Sequence, residues 1–160
     1  MNRRQAREHS LQALYQAEFG SKAGWEIPLE EENDEGGDSS PTEGEFFSQR
    51  LFAGVKERED FIDQLLRPFL KKGWALERLS LVDRSILRLA VYELIYESST
   101  PPRVVINEAV DLAKDFGDND SPSFINGVLG NFLVSSEGET VGLSPTIRAR
   151  IAEQHSNHRG

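Results

Sequence analysis

Cysteine is absent from the 160 residues and methionine occurs once. The lack of cysteine excludes disulfides and thiolate chemistry and fits a reducing compartment. No apolar run approaches the roughly 18 residues that a membrane span requires. The charged N-terminus has no apolar stretch behind it, so no secretory signal is expected. The three histidines are His9, His155 and His158; two fall in an expected tail, and none has a partner at ligand-type spacing. "DNDSP", residues 118–122, begins like a calcium loop, but the sixth and twelfth positions from Asp118 are Ser123 and Leu129 where glycine and glutamate are needed. The glycines of "NGVLGN" sit on helix spacing instead of in a phosphate loop, and Gly127 is expected to allow close helix packing. Walker, Rossmann and nucleophile-elbow patterns are also missing. The expectation is a soluble, cytoplasmic, non-enzymatic domain with no metal and no cofactor.

What is present is acidity, unevenly placed. The formal net charge is −9, yet residues 20–47 alone carry −8, while residues 1–19 and 48–100 each carry +1. The acidic stretch "SKAGWEIPLEEENDEGGDSSPTEGE" is rich in Gly, Ser, Pro and Glu. Such a composition buries too little apolar surface to offset its ordering entropy, so residues 20–45 are expected to form a flexible loop. The overall sign therefore says little about the remaining surface. At the front of the chain, Arg3, Arg4 and Arg7 open a helix-like segment.

Hydrophobic residues make up 38% of the chain, and they recur at helical spacing. Leu11, Leu14, Tyr15 and Phe19 form one stripe; Phe47, Leu51, Phe52 and Val55 form a second; Phe61, Ile62, Leu65, Leu66 and Phe69 form a third, bent or ended at Pro68. "SLVDRSILRLAVYELIY" begins with a Ser80…Asp83 pattern resembling a capping box and is apolar on two sides, which predicts a central helix. Pro101 and Pro102 break the chain before a stripe of Ile106, Ala109, Val110, Ala113 and Phe116, which Gly117 terminates. Ser121 as N-cap and Pro122 start a helix bearing Phe124, Val128, Leu129 and Phe132. No period-2 run is long enough for a sheet. Residues 134–143 read as loose tail and "SPTIRARIAEQ" suits one short helix. The expected fold is all-α with six or seven helices: one domain over residues 1–133, followed by a mostly disordered tail over 134–160.

"INEAVDLAKDFGDNDSPSFINGVLGN" resembles the signature of the NusB family of bacterial antitermination factors. "LVDRSILRLAVYELIY" and "RRQAREHSLQALYQ" match the family's central helix and N-terminal helix in the expected order, and "LFAGV", residues 51–55, fits as well. The resemblance implies about seven helices in two three-helix subbundles. It also implies a non-enzymatic factor that pairs with NusE, a small-subunit ribosomal protein, to bind single-stranded boxA RNA in ribosomal RNA leaders. Together with other Nus factors on RNA polymerase, that pair suppresses premature, Rho-dependent termination. A homodimer of the free chain stays open, since some members dimerise through the NusE surface.

Each candidate residue has two readings. Arg3, Arg4 and Arg7 are either solvated charges or phosphate contacts; the resemblance implies phosphate, and three contacts on a single strand give a logarithmic salt slope of about −2. Lys114 would add another phosphate contact. Asp120 either caps a helix or reads base edges, and Phe124 is either core or a base contact. Tyr15 and Phe19 are core by spacing and NusE interface by resemblance. Asp83 and Arg84 are first-turn residues by pattern and NusE interface by resemblance. Glu93, set among apolar positions, is read as structural. Two other functions compete: the NusB-like domain of a ribosomal RNA cytosine methyltransferase, which needs a following catalytic domain with a cysteine, and a helical protein adaptor without RNA affinity.

Overall fold

The computed structural model describes residues 1–20, 40–71, 75–136 and 139–157. The chain divides into two compact units, Met1–Arg58 and Glu59–Gly160. Among the described residues, no helix is long and apolar enough to cross a membrane. Most of the acidic stretch expected as a loop, residues 21–39, lies outside the described residues, and its last three residues already belong to a helix.

The first unit is a pair of helices, α1 (Arg3–Ala17) and α2 (Glu43–Glu57). Both start in full capping boxes. The Asn2 side chain accepts from the Gln5 N–H while the Gln5 side chain accepts from the Asn2 N–H, and Thr42 and Glu45 do the same at α2. Ala6, Leu11, Ala13 and Leu14 of α1 and Phe47, Leu51 and Val55 of α2 are buried. Ser10 Oγ lies 2.9 Å from the carbonyls of Ala6 and Ser48 and 3.0 Å from Ser48 Oγ, so this polar crossing is satisfied without water. Gly44 is required by close approach: a Cβ there would run into the Met1 carbonyl oxygen. After α1 the chain turns at Gly20, whose φ of 77° lies in the left-handed region.

The second unit begins with α3 (Glu59–Leu66), which gives way at Pro68 to a 3-10 turn, Arg67–Phe69. A second 3-10 turn, Leu76–Arg78, precedes α4 (Leu81–Tyr96). The Arg67 guanidinium donates to Glu77 at 2.7 Å, joining the two turns and holding the Glu77 carboxyl at about 2. Every residue from Ser85 to Leu94 of α4 is buried, as expected of a helix apolar on two sides. It packs against α3, α5 (Pro102–Phe116) and α6 (Ser121–Gly130). Buried Arg88 crosses from α4 to α3: Nε and Nη2 reach the two Asp63 carboxylate oxygens at 2.9 and 2.8 Å, and Nη1 reaches Glu59 at 3.0 Å. Glu93 is buried as well.

After residue 133 the structure departs from a loose tail. Strands β1 (Leu133–Ser136) and β2 (Glu139–Leu143) pair antiparallel, with Leu133 opposite Leu143 and Val134 opposite Gly142. The Ser144 N–H donates to the Phe132 carbonyl at 2.9 Å, and α7 (Pro145–Asn157) follows with Ile147 fully buried. The hairpin left no alternation in the sequence because strands of four and five residues, broken by Ser and Gly, carry too few apolar positions.

Candidate nucleic-acid and partner interface

In the first unit, Arg3 and Arg7 stand one turn apart on α1 and converge on the ring of Phe47. Their guanidinium carbons lie 4.2 and 5.3 Å from its centroid. Arg3 is half-buried and pairs with Glu43 of α2 at 2.9 Å. Arg7 is buried at 5% exposure, so its side chain packs inside the unit, whereas Arg4 is exposed. Arg50 of α2, not singled out in the sequence, is exposed and stands 5.4 Å from the same centroid.

The apolar stripe of α1 splits at its end. Leu11 and Leu14 are buried, but Tyr15, in the last turn of α1, and Phe19, beyond its end at Ala17, are 39% and 69% exposed. Their rings meet edge-on at 5.1 Å. Two adjacent aromatic rings therefore stand at the surface of the described residues.

In the second unit, Asp83 and Arg84 occupy the first turn of α4 and are half-buried. Ser80 Oγ accepts from the Asp83 N–H at 3.1 Å, one half of the expected box. The Asp83 carboxylate does not complete it: its Oδ1 is buried without a hydrogen-bond partner, as is Arg84 Nε, while Arg84 Nη1 reaches the Glu77 carbonyl at 3.4 Å.

The α5–α6 turn carries the remaining candidates. Gly117 ends α5 in an extended conformation, so its glycine is not needed for a left-handed turn. It is needed for space: a Cβ would lie 2.6 Å from Ser121 Cβ and Oγ. Ser121 is the first residue of α6 instead of its cap, and its Oγ accepts from the Asp118 N–H at 2.9 Å. Asp120 takes the N-cap position but makes no capping bond, and its exposed carboxylate faces solvent. Lys114 is exposed and lies 3.9 Å from Asp111. Phe124 is half-buried and, with Leu70, Lys71 and Leu79, lines an apolar hollow of about 90 Å³. Gly127 is exposed with nothing within 4 Å of a Cβ, so it does not serve close helix packing as expected.

Chemically, these are one basic, ring-backed surface on α1–α2, one exposed aromatic pair, and one turn offering a cation, a carboxylate and a ring. Nothing among them forms a nucleophile–base pair.

The NusB family model matches residues 4–134, so β2 and α7 lie beyond it. The transcription antitermination proteins NusB of Bacillus cereus and Bacillus thuringiensis are each 47% identical over 131 residues, spanning 82% of this chain and 96% of the relative. Among solved structures, T. maritima NusB superposes with a TM-score of 0.70 at 36% identity, covering 81% of this chain and 89% of that one. A complex of the antitermination factors NusB and NusE with dsRNA superposes at 0.63 and 26% identity, covering 80% and 92%. By the span of these matches, the chain belongs to the NusB family.

Proposed function

We propose that this chain is a transcription antitermination factor that binds the boxA element of ribosomal RNA leaders together with NusE. The observation that carries the reading is the match to antitermination proteins over nearly their whole length. It favours them over a methyltransferase, in which such a domain would be only a part. The pair acts with other Nus factors on RNA polymerase against premature, Rho-dependent termination, in the cytoplasm where transcription occurs.

The surface chemistry supports a division of labour. Exposed Arg4 and half-buried Arg3 contact phosphate, which gives affinity and register but little sequence discrimination. Lys114 adds a phosphate contact at the α5–α6 turn. There the Asp120 carboxylate, free of any capping bond, accepts from base amino groups, and the Phe124 ring and its hollow receive a base. Tyr15 and Phe19, whose rings stand clear of the core, meet NusE, as do the half-buried Asp83 and Arg84 in the first turn of α4.

Fluorescence anisotropy with labelled boxA RNA tests the reading. The chain with NusE is expected to bind far more tightly than either protein alone. An absence of any cooperative gain would overturn it, and RNA-independent capture of NusE alone would favour the adaptor reading.

A further inference from the structure

The ring of Phe47 gathers three cations. The guanidinium carbons of Arg3, Arg7 and Arg50 stand 4.2, 5.3 and 5.4 Å from its centroid, so no two of them are more than about 11 Å apart. A ring face attracts cations, and three guanidiniums gathered this closely make a locally positive surface that favours an anion beside them. The cations differ in access. Arg7 is buried, Arg3 is half-buried, and Arg50 and neighbouring Arg4 are exposed. One anion at Arg3 is Glu43, at 2.9 Å, with its side chain 66% exposed. A phosphate oxygen accepts from a guanidinium as a carboxylate oxygen does, so the Glu43 oxygen that Arg3 Nη2 meets marks a place an anionic oxygen can take. An exposed pair of this kind is worth little and exchanges readily.

We propose that Arg50 of α2 joins Arg3 and Arg4 in one phosphate-binding site for single-stranded RNA, and that Glu43 is its built-in competitor, displaced from Arg3 when RNA binds. Phe47 is the scaffold on which the arginines lean. Arg7 is a positioning residue that packs under the site without touching RNA. This rests on the RNA-binding function proposed above. It sets Arg50 in the place that the sequence reading gave to Arg7 among the phosphate contacts and makes the acidic first turn of α2 a brake on RNA affinity.

The test uses the full chain with NusE, titrated against fluorescein-labelled boxA RNA and a scrambled RNA of equal length across a salt series. Arg50→Gln is expected to weaken both RNAs by about three- to fivefold and to reduce the magnitude of the logarithmic salt slope by about 0.7, one phosphate's share on a single strand. Glu43→Gln is expected to tighten both by about two- to fivefold, a gain that misfolding cannot produce. Unchanged affinity and slope in Arg50→Gln, or no tightening in Glu43→Gln, overturns the site while leaving the functional reading intact. Failure of the unsubstituted chain with NusE to bind boxA RNA overturns both.

Discussion

Arg88→Ala is expected to be among the most destabilising single substitutions in the second unit. The guanidinium makes two hydrogen bonds to Asp63, at 2.9 and 2.8 Å, and reaches Glu59 at 3.0 Å. Arg88 and Asp63 are 9% and 8% exposed. Removing the arginine strands a buried carboxylate between α3 and α4, and breaking one side of a buried pair costs about 3–5 kcal/mol. For a chain of this size, each kcal/mol moves Tm by about 2–4 °C, so a fall of roughly 6–20 °C follows. Replacing both partners by apolar residues, Arg88→Met with Asp63→Leu, removes the stranded charge and is expected to regain most of the loss. Urea unfolding followed by circular dichroism on the single and double variants measures both numbers. A loss below about 1 kcal/mol in Arg88→Ala, or a double variant no more stable than the single one, refutes the reasoning.

Three further outcomes are expected. Gly117→Ala places a Cβ 2.6 Å from Ser121 Oγ and 2.9 Å from the Ala113 carbonyl oxygen; overpacking of this kind costs about 1–3 kcal/mol, and thermal melting reads it. Ile147→Ala opens a cavity beneath α7, where the side chain is 1% exposed, and is expected to cost about 2–5 kcal/mol by urea unfolding. A tail that did not pack would show no loss. Burial pushes His9 below its ordinary 6.5 against the opposing pull of Glu45. The unfolded chain therefore binds more protons below about 6.5, and stability falls as pH drops from there. His9→Asn is expected to flatten that part of the stability–pH profile measured by denaturant melts.

Much of the fold was legible because the signals were local. Spacing placed α2, α3 and α4, Ser80 marked the start of α4, and Pro68 marked the end of α3. The contact between Asp63 and Arg88 was not legible, because it joins residues on different helices and neither position carries a local signal. Gly117 was found for the wrong reason. Sequence pattern reads a glycine after a helix as a left-handed terminator, whereas here it admits the start of α6. The β1–β2 hairpin was too short to announce itself.

The proposed phosphate site marks where reading by charge stops and reading by face must begin. Arg3, Arg4 and Arg7 look equivalent as a basic opening, yet Arg7, Leu11 and Leu14 stand at i, i+4 and i+7 and so belong to one stripe. The periodicity that identified the core leucines already placed Arg7 with them, and the structure buries it. Arg4 lies off that stripe and is exposed. Arg50 had no such signal, because its relation to Arg3 exists only once α1 and α2 pack and bring Phe47 beneath both. On that proposal, a run of charge along a chain overcounts contacts on its own helix and misses those on the next. For this surface the two errors offset: three phosphate contacts are expected, as the basic opening suggested, with Arg50 taking the place of Arg7 and the salt slope from the surface remaining about −2.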